Sequence, residues 1–188
     1  MGSQNKLLLP VDGKTLIERT VDTLIASKID ETIVVVGYEL EKIKAVLAGK
    51  EIVVVENPTY QEGMASSIRA GVSAVAPEAG ALMICLADQP LLEPADINRI
   101  IRGLDDARAA GKSIVVPFFK GQRGNPVILD AMHRNAMIDV VGDIGCKKII
   151  KQNPDEVYTI EMETDHVVRD VDTVEEYRGL DGRLISGV

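Results

Sequence analysis

Residues 81–90 read ALMICLADQP, an apolar run that ends in an aspartate, Asp88. A short, continuously apolar run is typical of a strand buried on both faces of a sheet. Asp88 would then lie at the carboxyl end of that strand, where a rigid element holds a side chain facing a ligand crevice. An Asp-x-Pro turn closing at Pro90 explains the same residues equally well, so the local pattern leaves both interpretations open.

Strand and helix patterns alternate outward from this run. The predicted strands are 32–37 (TIVVVG), 52–56 (IVVVE), 81–87 (ALMICLA) and 113–117 (SIVVP), and the predicted helices are 15–28, 39–47, 65–75 and 94–110. This alternation indicates an α/β fold with a mostly parallel sheet that carries helices on both faces. Ligands are expected at the loops that follow the strands, which are 37–39, 56–64, 87–93 and 117–126. With no linker-like segment and no internal repeat, residues 1–188 are expected to form a single domain.

The last third of the chain is less regular. Residues 124–129 (GNPVIL) are expected to lead into a short helix, and 157–168 to form two short strands around 163–165. Thr173 is expected to cap a final helix together with Glu176, three residues later. At its other end the chain leads into a helix without the opening strand that doubly wound folds usually have.

Composition excludes several classes of protein. The net charge of −8 argues against a nucleic-acid-binding surface and directs attention to carboxylates that hold a metal ion. Cys85 and Cys146 lack the spacing of metal ligands and are typical of a reduced cytosolic protein. No run approaches the roughly 18 apolar residues of a membrane span, and the first residues lack the apolar core of a signal peptide. We therefore expect a cytoplasmic protein with neither a nucleic-acid nor a membrane partner.

Three further charged residues are candidates for a site. Asp170 and Asp172, in the sequence DVD, end a β-like run. Residues two apart on an extended chain face the same way, so both could bind one metal ion, although capping of the final helix explains them as well. Lys6 stands alone before an apolar triplet, where it either pairs with phosphates or is a solvated surface lysine.

Two loops are candidates for ligand contacts. In 57–71 (NPTYQEGMASSIRAG), Gly63 permits close approach of a ligand to the backbone. Ser66 and Ser67 open a helix whose N-terminus offers donors to an anion, with helix capping by the serines as the alternative. The second loop, 123–126 (RGNP), has the composition of a ligand-binding loop and equally of a tight turn.

Taken in order, NKLLLP, NPTYQEGMASSIRAG, LADQP, RGNPV, GDIG and DVDTVEEY closely resemble the MobA-like nucleotidyltransferases, from about residue 2 to residue 178. Within that family the chain looks most similar to the molybdenum cofactor cytidylyltransferases, which join CTP to molybdopterin and release pyrophosphate. LADQP, GMxSSIRAG and RGNPV in this order are the specific part of the resemblance. It implies a Rossmann-like nucleotidyltransferase fold, in agreement with the alternating pattern.

The resemblance also implies a role for each candidate. Asp88 is similar to a Mg²⁺-binding carboxylate, with Asp172, and next to it Asp170, at the second acidic position. Lys6 is similar to a catalytic lysine that contacts the nucleotide phosphates. The residues implied to line the nucleotide are Gly63, Ser66 and Ser67, and those implied to face the pterin-bearing substrate are Arg123, Gly124, Asn125, Pro126 and Asp143.

The chain departs from the family at its start. The family has an opening strand and a glycine-rich nucleotide loop ending in Arg-Met-Gly, of which only Met1 and Gly2 are matched here. We therefore expect the sequence as written to be a shortened form of a longer product. Because that loop reads the base, GTP in place of CTP stays open, as does another nucleotide transferred to a sugar or polyol phosphate. A non-catalytic molybdenum cofactor chaperone for a molybdenum-dependent dehydrogenase is the remaining alternative.

Overall fold

The computed structural model describes residues 5–142 and 145–184. The strands are β1 (Pro10–Val11), β2 (Lys14–Thr15), β3 (Ile33–Val36), β4 (Val53–Glu56), β5 (Ala81–Ile84), β6 (Ile114–Phe119), β7 (Gln122–Arg123), β8 (Val127–Asp130) and β9 (Val157–Glu161). The α-helices are α1 (Leu16–Ile25), α2 (Leu40–Val46), α3 (Met64–Ala74), α4 (Pro94–Ala109), α5 (Arg134–Ile138), α6 (Lys147–Gln152) and α7 (Val174–Leu184). Short 3₁₀ helices occupy Lys6–Leu8, Tyr60–Glu62, Ala131–His133, Pro154–Glu156 and Asp165–Val168.

Side chains fix where the helices begin. The Thr15 hydroxyl accepts a hydrogen bond from the Glu18 backbone N–H, and the Glu18 carboxylate accepts one from the Thr15 N–H, a capping box that starts α1. Before α7 the same exchange joins Thr173 and Glu176 at 3.1 and 2.7 Å, so the predicted cap is confirmed. These caps satisfy backbone donors that the first turn of a helix leaves free.

Three of the five strands of the larger sheet, β5, β6 and β9, run in the same direction, which agrees with the prediction of a mostly parallel sheet. Its order is β5-β8-β6-β7, with β9 on β6. Strand β9 runs parallel to β6 from the pair Ile114 and Val157 onward, and β5 shares their direction because both β5 and β6 are antiparallel to β8. Strands β7 and β8 are the exceptions and run antiparallel to β6. The tight β6–β7 hairpin turns the chain back, because so short a connection cannot lead to a parallel neighbour.

Alternating residues of the strands face two helical layers. Leu82 and Val116 point to one face and pack in a core cluster with Ala65, Ile68 and Val72 of α3. The residues that alternate with these along the strands, such as Val115 and Ile128, point to the other face and pack with α4. Helices on both faces are therefore confirmed. None of the helices within the described ranges is long and apolar enough to cross a membrane.

Strands β3 and β4 form a separate parallel pair, with Val36 opposite Glu56 at its carboxyl end. The pair lies against α3, where a Cβ added at Gly71 would lie 3.0 Å from Val35 Cγ2. It also shares a core cluster with α1 and α2. Among residues 5–142 and 145–184, no strand pairs with the second edge of β3 or of β5, so these two parts of the fold are held together by helices.

Three local predictions were wrong. Residues 127–130 form a full strand, β8, in the middle of the sheet, where only an approach to a helix was expected. The second strand expected within 157–168 is instead the 3₁₀ turn Asp165–Val168, which packs against β6 without joining its ladder. Strand β5 ends at Ile84 and not at 87, because its partner there is Val127 and the preceding Pro126 has no N–H to continue the ladder.

Candidate functional site

The segment that follows β5 is held from two sides. The Thr20 hydroxyl of α1 donates to the Ala87 carbonyl at 3.1 Å. The Val171 N–H, from the chain just before α7, donates to the Asp88 carbonyl at 3.0 Å. These two hydrogen bonds, one from α1 and one from the segment before α7, fix the backbone at Asp88, whose side chain is 19% exposed. Asp88 therefore has a fixed position, but it lies in the segment after β5, which ends at Ile84, and its role as a metal-binding carboxylate stays a prediction.

Lys6 brings the two ends of the chain to this carboxylate. It lies in the first 3₁₀ helix, which Asn5 caps by accepting from the Leu7 N–H at 3.1 Å. The Lys6 ammonium donates to Asp88 Oδ2 at 2.7 Å and to Asp172 Oδ1 at 2.6 Å. Burial lowers the pKa of Lys6, but the hydrogen bonds to Asp172 and Asp88 raise it by more, so its pKa is above the usual value and the ammonium stays charged. We call Lys6, Asp88 and Asp172 the acidic cluster.

The acidic cluster fits a divalent metal ion that arrives with a nucleotide. Two carboxylates and one ammonium leave one negative charge, and Asp88 Oδ1 is buried without a hydrogen-bond partner. A buried oxygen in that state calls for a cation or a donor from a ligand. Within the described part of the chain no group of three or more His, Cys, Asp or Glu residues forms a metal cage. Mg²⁺ is commonly held by one or two carboxylates plus substrate phosphates, which matches this donor set.

Asp170 is placed apart from the acidic cluster. It is exposed, and the hydrogen bonds of Lys6 in the described structure go to Asp88 and Asp172 and not to Asp170. Val171, which is 2% exposed, points inward between the two aspartates. Of the DVD pair only Asp172 has a hydrogen bond to Lys6, and binding of one ion by both aspartates stays a prediction. Asp143 lies outside the described residues.

The predicted nucleotide-binding serines form a network with Asn57. Its side-chain amide donates to Ser66 Oγ at 2.8 Å and to Ser67 Oγ at 3.0 Å, and Ser66 in turn donates to the Gly63 carbonyl. Gly63 has φ of 97°, a conformation that favours glycine. The Ala65 N–H donates to a loop carbonyl, that of Gly142. Asn57 thus holds both serines at the start of α3, and contact with a nucleotide stays a prediction for Gly63, Ser66 and Ser67.

The substrate loop 123–126 lies beside the turn Asp165–Val168. Gly124 packs so closely that an added Cβ would lie 2.6 Å from the Val167 carbonyl oxygen, which explains why glycine is required. The Asn125 N–H donates to that oxygen at 2.8 Å, and the peptide bond to Pro126 is cis. Arg123 is half-buried with its Nε unpaired, and burial lowers the pKa of its guanidinium. An unpaired guanidinium nitrogen of this kind can serve a ligand anion.

Three residues of the site were not found from the sequence. Gln89 is 2% exposed and donates to the Val167 carbonyl at 3.1 Å, which links Asp88 to the substrate loop. Asn57, also 2% exposed, holds the serines. Both are polar residues immediately before a proline in the segment that follows a strand, and that position is the signal available in the sequence. Val167 contributes its backbone carbonyl oxygen, so the type of its side chain gives no signal in the sequence.

Comparison with known proteins identifies the family of the chain. The family model described as the MobA-like NTP transferase domain matches residues 1–157. Nicotine blue oxidoreductase of Paenarthrobacter nicotinovorans is 31% identical over 180 residues, which covers 94% of this chain and 87% of that protein.

Solved structures of similar shape span nearly the whole chain. Rv0371c from Mycobacterium tuberculosis H37Rv superposes with a TM-score of 0.79 at 27% identity and covers 96% of this chain and 90% of its own. A complex of the same protein with manganese gives 0.77 at 25% identity, covering 96% and 93%. A nucleotidyl transferase from Methanothermobacter shares the fold, with a TM-score of 0.78 at 23% identity over 96% and 85% of the two chains. The chain therefore belongs to the MobA-like NTP transferase family and is a nucleotidyltransferase.

Proposed function

We propose that this chain transfers CMP from CTP to molybdopterin and releases pyrophosphate, with Mg²⁺ as the metal ion. One observation supports the proposal most strongly: Lys6 bridges Asp88 and Asp172 at 2.7 and 2.6 Å, while Asp88 Oδ1 is buried and unpaired. A lysine and two carboxylates are the groups that a metal-bound triphosphate needs. The manganese complex of Rv0371c adds support for a divalent ion.

The reaction requires alignment more than covalent help from the protein. A phosphate oxygen of molybdopterin forms a bond to the α-phosphorus of CTP, and the bond from that phosphorus to the bridging α–β oxygen breaks. The bonding electron pair leaves with pyrophosphate. An acceptor phosphate that is already ionised needs no general base, so positioning and charge stabilisation supply the rate.

The residues of the acidic cluster divide these tasks. Mg²⁺, when bound, neutralises charge that develops on the phosphates. Asp88 and Asp172 would hold it, Asp88 through the oxygen that has no protein partner. Lys6 can turn from Asp172, which is 64% exposed, to a phosphate oxygen while it keeps Asp88 as a neighbour. The arrangement thus keeps one cation of the protein next to the reacting phosphates.

The loop 123–126 is assigned to the acceptor in this proposal. Arg123 offers an unpaired guanidinium nitrogen to the phosphate of molybdopterin. Asn125 and Gln89 hold the same carbonyl oxygen, that of Val167, and this shared contact keeps the acceptor loop next to Asp88. Cytoplasmic synthesis and delivery of the product to a molybdenum-dependent dehydrogenase belong to the same proposal.

A radiochemical assay tests the function directly. The protein is incubated with α-³²P-labelled CTP, Mg²⁺ and molybdopterin, and both the labelled dinucleotide and pyrophosphate are measured. Equal amounts of the two products, absent without Mg²⁺, are expected. Faster reaction with GTP would assign the guanylyl reaction instead. The relative from P. nicotinovorans is named an oxidoreductase, and the assay separates these chemistries because pyrophosphate is formed only by nucleotidyl transfer.

A further inference from the structure

The Val167 carbonyl oxygen joins the two loops of the proposed site. It accepts one hydrogen bond from the Asn125 backbone at 2.8 Å and a second from the Gln89 side chain at 3.1 Å. Val167 is 0% exposed, so water does not compete for these bonds. A carbonyl oxygen has two lone pairs, and both are used here. The position of this single oxygen therefore sets the distance between loops 87–90 and 123–126.

The turn that carries Val167 is anchored by its neighbour, His166. The Nδ1 atom of His166 lies 2.8 Å from Asp96 Oδ2 in the first turn of α4. The Thr164 hydroxyl donates to the other oxygen of Asp96 at 3.3 Å, so both ends of the carboxylate hold the same turn. Asp96 itself is fixed, because its Oδ2 also accepts from the Glu93 N–H at 3.0 Å. A continuous chain of contacts leads from α4 through His166 to the Val167 oxygen.

We propose that His166 is a positioning residue: its bond to Asp96 fixes the Val167 carbonyl and thereby aligns the metal-binding loop with the substrate loop. This inference rests on the proposed nucleotidyl transfer for its effect on rate, but the positioning itself is a structural statement. His166 has no contact with Lys6, Asp88 or Asp172 in the described structure, and so it acts through the turn and not on the reacting atoms.

The charges around His166 predict how the anchor depends on pH. Asp96 and Glu93 face it from α4, and its own turn contributes Asp165, which is paired with Arg169. The hydrogen bond to Asp96 raises the pKa of His166 above its usual value. Burial raises the pKa of Asp96, but the contacts with His166, the Glu93 N–H and Thr164 together lower it by more, so the pKa of Asp96 is below its usual value. The charge-assisted contact is fully present below about pH 6.5, the ordinary histidine pKa, and weakens as the pH rises through the elevated pKa.

Substitution of His166 tests the anchor in the full chain. In His166→Ala we expect new NMR positions for the Asn125 amide and the Gln89 side-chain NH₂, with kcat for transfer lowered about 10- to 100-fold and KM for CTP changed less. His166→Asn should restore both, because its amide can donate to Asp96 from the place of Nδ1. In the wild type the chemical shift of the Asn125 amide should change with pH, with a midpoint above 6.5. In His166→Asn this pH dependence should vanish.

The only other histidine of the chain provides the control. His133 is also buried and also contacts a carboxylate, with its Nε2 3.2 Å from Glu156 and 2.7 Å from the Ser113 hydroxyl, beyond the far end of β8. His133→Gln should leave the Asn125 and Gln89 signals and the pH profile unchanged. Unmoved Asn125 and Gln89 signals in His166→Ala, or equal effects of both substitutions, would overturn the inference. Absence of transfer by the wild type would contradict the proposed function instead, and the NMR result would still decide the positioning.

Discussion

Replacement of Asp88 by asparagine separates a metal-binding carboxylate from a turn-forming one. Asp88→Asn keeps the size of the side chain and its backbone contact with Val171, but removes the charge that Lys6 contacts at 2.7 Å. If this carboxylate stabilises the reacting phosphates through a metal ion, its loss should lower kcat for transfer about 10²- to 10³-fold, the scale of one lost electrostatic stabiliser. If Asp88 only starts a turn, asparagine serves as well and the rate is unchanged.

The same substitution should cost little stability. The Lys6 and Asp88 side chains are 30% and 19% exposed, so their pair lies between exposed pairs, worth up to about 1 kcal/mol, and buried pairs, whose disruption costs about 3–5 kcal/mol. Lys6 also keeps Asp172 as a partner. We therefore expect a loss of about 1–2 kcal/mol in the free energy of unfolding, or a Tm lowered by roughly 2–8 °C for a chain of this size.

Asp130→Asn is the matched control for this experiment. Asp130 ends β8, is 22% exposed and pairs with Arg108 at 2.7 Å. Because β8 runs antiparallel to β5, Asp130 lies beside Ala81 at the start of β5, whereas Asp88 follows the end of that strand. Thermal unfolding followed by circular dichroism should show similar losses in both variants, whereas the radiochemical assay should show a loss only in Asp88→Asn. Near-normal turnover by folded Asp88→Asn, or equal loss in both variants, would refute the reasoning.

Three further predictions concern the acidic cluster, the nucleotide and the cysteines. Asp172→Ala should lower the rate of transfer more than Asp170→Ala, because only Asp172 contacts Lys6; steady-state kinetics showing the reverse order would exchange their roles. CTP with Mg²⁺ should raise the Tm more than GTP does, and tighter GTP binding in calorimetry would assign the guanylyl branch. Burial raises the pKa of Cys85 to about 12 and that of Cys146 to about 11, so neither thiol should react with Ellman's reagent at pH 8 while the protein is folded; rapid labelling of the native protein would contradict this.

The parts of the fold that the sequence predicted are those encoded locally. Strand runs such as 32–37 and 113–117 are bounded by helical patterns, and a short apolar run has few other ways to bury itself. Strand β8 was missed because its place depends on the β6–β7 hairpin, and the hairpin sets direction through long-range pairing. The turn Asp165–Val168 contains adjacent valines that favour a strand, but its hydrogen bonds go to Asp96 and to the loops of the site.

Part of the candidate site could also be predicted from the sequence. Asp88 follows from the rule that ligands bind beyond the carboxyl ends of parallel strands. The contact between Lys6 and Asp172 joins residues 166 apart in sequence, and residue spacing cannot predict a contact over that separation. Only the family resemblance assigned both residues to one site. Which of the two aspartates contacts Lys6 is not set by the DVD pattern, since both are exposed on either side of the buried Val171.

The central claim is that Lys6, Asp88 and Asp172 form the metal–nucleotide site, and Mn²⁺ broadening of NMR signals tests it most directly. Mn²⁺ with CTP is added in substoichiometric amounts to ¹⁵N-labelled protein, because the paramagnetic ion broadens amide signals nearest to it. The account predicts selective broadening around residues 87–89 and 171–173 and at Lys6. The signals around 130–133, at the opposite end of the strands, should be unaffected. Broadening centred on any other segment, or equal broadening in Asp88→Asn, would contradict the account.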